Sequence, residues 1–488
     1  MNSGTVTQCL PRYVLLTEEQ IRAIHLASLE LLETVGMQVL HDEAVQILRA
    51  AGCRVQGDDV VLMPNWLVEE CIATAPSRIT IYDRRGEPAM RLEGRNIYFG
   101  LGTDLIRTQD PRTGETHPSR LQDVINAARV ADYCQNVDFV ASFALAYDVP
   151  TNLMYVECAR AMMENSTKPI FFTAGGEADL AVIARMAAAV AGGDEELQRR
   201  PFIIHYSEPT APMRLSEGAV DKLLFCAEKA IPICFTPGDL LGGSTPVTVA
   251  GGVVQANAEA LGSIVLHQLK GKGSPIISGM AVAPLDMRTT TISYGAPEWR
   301  LTNSAFADLY HHYGLPMWST VGSDAHCLDE QAAMEHAFGT LLAALDGANL
   351  IHDVGYLGQG LLGNPASIIM CDEIIGYVKR LLRGFEITRE TMGVEVTARV
   401  GPGGNFLSDE HTVRHFRQEL WRPPYANREA PDIWAAKGAK SYGQVVSEKA
   451  IEVLATHEPE PLPSATLRTI GQIVAEARQQ LAGRDFVA

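Results

Sequence analysis

The sequence predicts a (β/α)8 TIM barrel, and three observations support this fold class. Between residues 96 and 357, eight short apolar runs alternate with amphipathic helical stretches. The runs are continuous, as in Pro201-Phe-Ile-Ile, which is typical of parallel strands buried on both faces. Nearly every run ends in Gly, Ser, Thr, Asp, Glu or Tyr. An open doubly wound sheet would show similar runs, so the number of runs favours the barrel.

Residues 1–95 are predicted to form an N-terminal α+β cap. Thr17-Glu-Glu-Gln20 is a capping sequence, and the apolar spacing after it predicts a helix that extends to Val35. A second helix is predicted over 42–51. Short strands are predicted over 59–63 and 78–83.

The barrel is predicted to occupy residues 96–385. Its eight strands are assigned to residues 96–101, 137–145, 168–174, 201–206, 231–236, 274–279, 315–321 and 349–354. The helices between them include residues 121–134, 179–190, 216–230, 253–270, 298–313 and 330–345.

The pattern changes after Arg383. Residues 386–488 contain Pro and Gly breaks, such as Pro423-Pro424, with helical segments between them. We expect a C-terminal helical extension that wraps the barrel or forms a contact in a homo-oligomer.

Composition restricts the class of partner and the location. The net charge of −18 argues against nucleic acid and anionic membrane as partners, because both require a basic surface. The nine cysteines include no CxxC pair, and several lie inside apolar runs, where a reduced thiol behaves as a small core residue; this indicates a reducing compartment. No run reaches the roughly 18 apolar residues of a membrane span, and the N-terminus has no signal-peptide pattern. We therefore expect a cytoplasmic protein.

Loops that follow the strands of a barrel meet at one mouth, where such enzymes keep their catalytic residues. Glu208 follows the fourth strand, Asp324 and His326 follow the seventh, and His352 ends the eighth. Two alternatives stay open: Glu208 could simply pair with Arg214, and His352 could be a core histidine. Aromatic residues at or near the strand ends are Tyr98, Phe99, Tyr147, Tyr206, Trp318 and Tyr356.

Two formal motifs are interpreted as structural. Gly358–Gly363 spells GxGxxG, but Asn364-Pro365 follows at once, where a dinucleotide fold needs an unbroken helix. His411, His415 and Glu419 share a helical face outside the barrel and lack the glutamate of a zinc protease motif.

Several longer stretches resemble the trimethylamine methyltransferase superfamily, and in particular its branch without pyrrolysine, which includes glycine betaine:corrinoid protein methyltransferases. The similar stretches are Thr113–Ser119 with Asp123, Ser207–Pro212, Gly243–Gly251, Gln255–Glu259, Ser323–Ala332, Asn349–Leu357 and Phe406–His411. They cover most of residues 15–425 and occur in the same order.

The resemblance implies a (β/α)8 barrel that moves a methyl group from a methylated amine to the Co(I) corrinoid (cobalamin) of a separate protein. No metal or tightly bound cofactor is then expected in this chain. In the trimethylamine enzymes, pyrrolysine lies in the segment similar to 323–331. Here His326 stands at or beside that position, which favours a quaternary amine such as glycine betaine over trimethylamine.

The implied roles follow from this chemistry. His326, Asp324 and Glu208 are the expected catalytic residues, and Glu208 or Asp324 would balance the ammonium charge. His352 and His326 would donate hydrogen bonds to a substrate carboxylate. Two or three of the six strand-end aromatics would form a cage for the cation.

Two other functions fit the same residues. One is a barrel hydrolase or lyase in which Asp324, His326, Glu208 and His352 surround a divalent metal. The other is a betaine- or corrinoid-binding protein without turnover. The expected partners of the favoured function are a corrinoid protein, a small quaternary amine and further copies of the chain.

Overall fold

A computed structural model of the chain describes residues 8–279 and 281–481 and contains the predicted barrel. Seven parallel strands form one sheet, in the spatial order Ile170–Phe172, Ile203–Ser207, Ile233–Phe235, Ile276–Gly279, Met317–Thr320, Leu350–Val354 and Tyr98–Leu101. Two parallel bridges, Gly100 to Phe139 and Val140 to Ile170, join the two ends of this sheet through residues 139–140. The eighth strand position is thereby filled and the barrel closes.

The second strand pairs over a shorter stretch than the predicted 137–145. Phe143 has a φ of +56°, outside the range of a strand, and its N–H donates to the Gly102 carbonyl at 3.0 Å. The chain therefore turns toward the loop after the first strand instead of continuing along the barrel wall.

Eight helices follow the eight strands and surround them. Their bounds are Leu121–Tyr133, Met154–Asn165, Glu177–Ala191, Glu217–Lys229, Val249–Lys270, Pro297–Tyr313, Glu330–Asp346 and Pro365–Leu382. The helix Val249–Lys270 is long and apolar enough to span a membrane by composition, but 72% of its most apolar window is buried inside the protein. It is a core helix of the barrel.

The N-terminal region packs against this fifth barrel helix. Its helices are Glu18–Thr34, Asp42–Ala50 and Asn65–Thr74, and its strands are Met37–Val39, Arg54–Gln56, Val60–Leu62, Ile79–Tyr82 and Pro88–Leu92. The predicted capping box at Thr17 is present. Ser28, a polar residue in the apolar stripe of the first helix, donates to the Val254 carbonyl and accepts from Asn257.

Short strands extend the loops after the barrel strands. They are Arg107–Gln109, Thr116–Pro118, Gly238–Leu241, Ala281–Asp286, Thr291–Ile292 and Leu362–Gly363. These segments build the walls of the mouth above the barrel.

The C-terminal region is helical, with helices Val394–Val400, Glu410–Glu419, Pro431–Ala436, Tyr442–Thr456 and Ser464–Gln480. The last two helices pack on the barrel helices 365–382, 121–133 and 177–191. The first three contain no buried residue.

Candidate active site

His352 lies at the centre of a group of aromatic rings inside the barrel. It sits in the strand Leu350–Val354, and its side chain is only 2% exposed. The ring centres of Phe171, Tyr206, Trp318 and Tyr356 lie 4.6, 5.3, 5.9 and 6.3 Å from that of His352. We call these five rings the aromatic floor.

His352 is also beside a carboxylate. Its Nδ1 lies 2.9 Å from Oδ1 of Asp353, although the two groups are not aligned as a hydrogen bond. Asp353 has a φ of +66°, which is uncommon outside glycine and breaks the alternation of the strand. The Thr320 hydroxyl donates to its other oxygen. His352 Nε2 is buried and has no hydrogen-bond partner among the described residues.

Glu208 lies at the mouth, and the Tyr206 hydroxyl donates to its Oε1. Its side chain is accessible to solvent, but the surrounding protein desolvates the carboxylate and raises its pKa. The charge of Asp353 raises the pKa further, whereas the hydrogen bond from Tyr206 opposes the shift. Arg214, the alternative partner, donates instead to Gln38 at 2.9 Å.

Asp104 is a second carboxylate at the mouth, which sequence reasoning did not single out. It has a φ of +59°, and the Ser142 hydroxyl donates to its Oδ1 at 2.8 Å. Burial raises its pKa, and the nearby positive charge of Lys222 opposes the shift. Asp104 comes three residues after the end of the first strand, and this position was the available signal.

Asp324 is engaged by the loop that precedes the sixth barrel helix. Its carboxylate accepts hydrogen bonds from the Ser293 hydroxyl at 2.5 Å, from Tyr294 N–H at 2.7 Å and from Gly295 N–H at 3.2 Å. It therefore ties the loop after the sixth strand to the loop after the seventh.

His326 lies at the rim. Its side chain is exposed, and its loop contacts the next one through a hydrogen bond from Gly358 N–H to the Ala325 carbonyl at 2.8 Å. It is accessible from solvent, unlike His352.

Three of the predicted aromatic residues lie apart from the aromatic floor. Tyr98 begins the first strand, at the amino end of the barrel, and its hydroxyl accepts from Arg91 N–H. Phe99 is fully buried, and Lys379 Nζ of the last barrel helix lies 5.9 Å from its ring centre. Phe99 points away from the lumen because alternate residues of a strand point to opposite faces. Tyr147 is 53% exposed in the loop after the second strand.

Tyr294 is an aromatic residue of the mouth that the sequence did not reveal. Its ring centre lies 6.0 Å from Tyr356 in an edge-to-face arrangement and 4.2 Å from Trp299. The hairpin formed by 281–286 and 291–292 separates it from its barrel strand. The position of Tyr294 in the mouth therefore cannot be predicted from the strand ends alone.

Two buried carboxyl groups lie behind the mouth. Asp239 accepts from the Ser244 hydroxyl at 2.7 Å, and Glu259 accepts from Met213 N–H and the Gln255 amide, each at 2.9 Å. Burial raises the pKa of Asp239 to about 6 and that of Glu259 to about 8. In residues 8–279 and 281–481, no group of three or more His, Cys, Asp or Glu side chains is arranged to hold a metal ion.

The arrangement suits a small organic cation. Aromatic faces attract cations through the electron density of their rings, and carboxylates at the same opening add electrostatic attraction. The aromatic floor with Glu208 and Asp104 provides both.

Comparisons with known proteins identify the family. The family model described as trimethylamine methyltransferase (MTTB) matches residues 1–482. Trimethylamine methyltransferase MttB of Desulfitobacterium hafniense is 34% identical over 469 residues, which cover 95% of this chain and 94% of that protein. Glycine betaine methyltransferase of Desulfitobacterium hafniense strain Y51 is 30% identical over 460 residues, which cover 93% and 95%.

A solved structure agrees with the fold. The monomethylamine methyltransferase MtmB of Methanosarcina barkeri superimposes with a TM-score of 0.51, over 98% of this chain and 90% of that one, at 10% identity. The architecture is thus shared although few residues are. The chain belongs to the trimethylamine methyltransferase family.

Proposed function

We propose that the protein transfers a methyl group from a quaternary or tertiary methylated amine, such as glycine betaine, to the Co(I) corrinoid of a separate partner protein. The observation that carries this proposal is the aromatic floor around His352, with Glu208 and Asp104 at the mouth above it. The family of the chain supports methyl transfer.

The cationic end of the substrate would bind between the aromatic rings and Glu208. A quaternary ammonium group cannot donate hydrogen bonds, so it is held by aromatic faces and by charge at short range. Tyr206 contributes to both, because its ring stacks 5.9 Å from that of Trp318 while its hydroxyl holds Glu208 in place.

The carboxylate end of a betaine would need a donor, and we assign this role to His352. A buried polar atom without a partner is unfavourable, so a ligand that pairs with Nε2 would stabilise the site. Asp353 Oδ1 lies 2.9 Å from Nδ1, so Nε2 is the ring nitrogen left to donate to a ligand. His326 at the rim is the second donor in this proposal.

The corrinoid of the partner would supply Co(I), a strong nucleophile that accepts the methyl group. A quaternary nitrogen leaves as a neutral tertiary amine, so this chain need not supply a proton. Its residues would hold the methyl carbon toward the mouth and exclude water from the aromatic floor. The solvent-accessible position of Glu208 fits an approach of the corrinoid from the mouth.

One relative and the residue His326 at the rim support a preference for glycine betaine as the substrate. A glycine betaine methyltransferase is 30% identical to this chain. His326 stands in the segment where the trimethylamine enzymes carry pyrrolysine, as the sequence resemblance implies.

The location and assembly are part of the proposal. We place the protein in the cytoplasm, and the eight cysteines whose side chains are described are all free thiols, as a reducing compartment requires. We further propose that the chain assembles with copies of itself.

Methyl transfer to free cob(I)alamin tests the function. The protein is mixed with cob(I)alamin and, separately, with glycine betaine, proline betaine, carnitine, choline or trimethylamine, and methylcobalamin is followed by absorbance. We expect methylcobalamin with at least one quaternary amine, and no loss of rate in the presence of a metal chelator. Absence of methylcobalamin with every amine would refute the proposal, and loss of activity with chelator would favour the metal-dependent alternative.

A further inference from the structure

Tyr294 extends the aromatic floor toward the mouth by one ring. The Tyr356 ring lies between His352 and Tyr294, and its centre is 6.3 Å from the ring centre of His352 and 6.0 Å from that of Tyr294. Tyr294 is only partly buried, and Trp299, which is 2% exposed, packs against its ring. Tyr294 therefore has a fixed inner neighbour and a surface that a ligand can reach.

Two glycines make room for this ring. A Cβ on Gly322 would overlap the Tyr294 ring, and a Cβ on Gly360 would lie 3.0 Å from its hydroxyl. Gly322 precedes the loop after the seventh strand, and Gly360 belongs to the loop after the eighth. The ring thus fills a slot between two loops of the mouth, and a side chain at either glycine would displace it.

Asp324 fixes the backbone that carries Tyr294. Three donors from consecutive residues, Ser293 to Gly295, converge on its carboxylate. Asp324 is held in turn, because its N–H donates to Glu335 Oε2 at 2.8 Å. With three hydrogen bonds from this loop, the Asp324 carboxylate is better placed to hold Tyr294 than to contact a substrate.

The charges around Tyr294 favour a cation. Burial raises the pKa of its hydroxyl well above the ordinary value, and the charges of Asp353, Glu208 and Asp324 raise it further. The phenol stays neutral, so its ring presents an uncharged aromatic face next to several carboxylates.

We infer that Tyr294 is a specificity-determining residue that recognises the methylated ammonium group of the substrate, and that Asp324 is the positioning residue that holds it. This inference rests on the proposed function and deepens it. It assigns to Asp324 a role distinct from direct neutralisation of the ammonium charge, which then falls to Glu208.

The test compares methylated ammonium compounds with molecules of the same shape that lack the positive charge. Binding of glycine betaine and of choline is measured by calorimetry, each beside its carbon isostere, in which a quaternary carbon replaces the nitrogen. The variants are Tyr294→Leu and Asp324→Asn, with Tyr294→Phe as the matched control. For Tyr294→Leu we expect the dissociation constant of the bound cation to rise about 3- to 30-fold, while that of its isostere changes less than about 2-fold.

The control and the second variant separate recognition from packing. Tyr294→Phe keeps the ring and should retain the cation preference. Asp324→Asn should reduce that preference and raise KM more than it lowers kcat. Should Tyr294→Leu fail to fold, the Asp324→Asn result decides alone.

The outcomes separate this inference from the proposed function. Two results would overturn the inference while leaving methyl transfer intact. One is an equal loss of affinity for the cation and its isostere in Tyr294→Leu, and the other is an unchanged preference for the cation over its isostere in Asp324→Asn. Failure of the wild-type protein to bind any methylated ammonium ion would overturn the proposed function, and this inference with it.

Discussion

At the scale of single residues, His352 combines the two properties that a betaine site needs. Its ring lies among four other aromatic rings, and its Nε2 has no partner among the described residues. The buried histidines His205 and His336 each bond a backbone carbonyl through one ring nitrogen, whereas neither ring nitrogen of His352 has a hydrogen bond among the described residues. The environment of His352 therefore favours a role in ligand binding over a role in core packing.

Replacement of His352 by Phe should separate these roles. Phe keeps the aromatic contacts but removes the donor, and a hydrogen bond to a charged group contributes about 1.5–3 kcal/mol. We expect kcat/KM for glycine betaine to fall about 10- to 100-fold. The rate with choline, which lacks a carboxylate, should change little. An equal loss with both amines would contradict the assignment of His352 to the carboxylate.

Glu208 gives the site a defined pH dependence. Its pKa is raised, so the carboxylate takes up a proton at a higher pH than an ordinary glutamate does. Affinity for a cation should therefore be greatest at high pH and should fall as the pH decreases through this raised pKa. In Glu208→Gln, KM should rise about 10-fold at high pH and lose this dependence.

Glu195→Gln is the control for this experiment. Glu195 is exposed on the helix Asp194–Arg199, so its substitution removes one negative charge far from the mouth. It should leave the pH profile of KM unchanged. If Glu208→Gln leaves the pH dependence of KM unchanged, a group other than Glu208 is responsible for it.

At the scale of elements, the fifth barrel helix carries a buried carboxyl group with consequences for stability. Glu259 has an ordinary pKa of 4.5, and burial together with the charge of Asp239 raises it to about 8 in the folded protein. A raised folded-state pKa contributes stability that is fully present below the unfolded value and is lost as the pH rises through the folded value. The free energy of unfolding should thus decrease between about pH 4.5 and pH 8.

Glu259→Gln tests this linkage. Glutamine imitates the protonated acid, and its carbonyl oxygen keeps the hydrogen bonds from Met213 and Gln255. We expect urea denaturation of the variant to show a smaller decrease in stability over this pH range than the wild type, and higher stability than the wild type at pH 8. Parallel pH profiles for the two proteins would contradict the raised pKa.

The elements show why sequence patterns predict the barrel better than its mouth. Buried parallel strands require continuous apolar runs, so the strand Leu350–Val354 coincides with a predicted run to within one residue. Residues 137–145 also form an apolar run, but the loop contacts of Phe143 end the pairing early. Such contacts depend on distant residues, which local patterns do not encode.

The same reasoning applies to the site. The positions of Tyr206, Trp318, His352 and Tyr356 follow from strand ends, which all meet at one mouth. Tyr294 reaches that mouth only because Asp324, thirty residues later in the chain, fixes its loop. The sequence predicts Tyr98 near a strand end, but Tyr98 begins its strand and therefore lies at the amino end of the barrel, opposite the mouth.

At the scale of the whole molecule, one flank exposes an apolar groove and several apolar side chains. A groove of about 770 Å³ lies between the seventh and eighth barrel helices, lined by side chains such as Leu341, Ile374 and Leu381. The segment 386–440 beside it exposes further apolar residues, among them Val413, Phe416 and Leu420. Large exposed apolar surfaces mark protein contacts.

Charge favours a second copy of the chain as the occupant of this flank. The segment 386–440 contains eight acidic and eight basic residues, whereas the chain as a whole has a net charge of −18. Two copies could therefore meet there without repulsion between their acidic surfaces. The corrinoid partner, by contrast, must reach the mouth.

Leu420→Glu should disrupt this assembly. Leu420 is 71% exposed, so the substitution should spare the fold while placing a charge in an apolar contact. In light scattering we expect a multiple of 53.0 kDa for the wild type and a smaller assembly for the variant. Leu26→Glu, at a leucine that is 56% exposed on the N-terminal region, is the control and should keep the wild-type mass. A wild type of 53.0 kDa, or an unchanged variant, would contradict the proposal.

The transfer of a labelled methyl group from glycine betaine to cobalamin is the most direct test of the proposed methyltransferase activity. The protein is incubated with cob(I)alamin and glycine betaine whose N-methyl groups carry carbon-13, and the products are followed by nuclear magnetic resonance. We expect labelled methylcobalamin and dimethylglycine in equal amounts, formed only in the presence of the protein. Dimethylglycine without labelled methylcobalamin, or glycine betaine left unchanged, would contradict it.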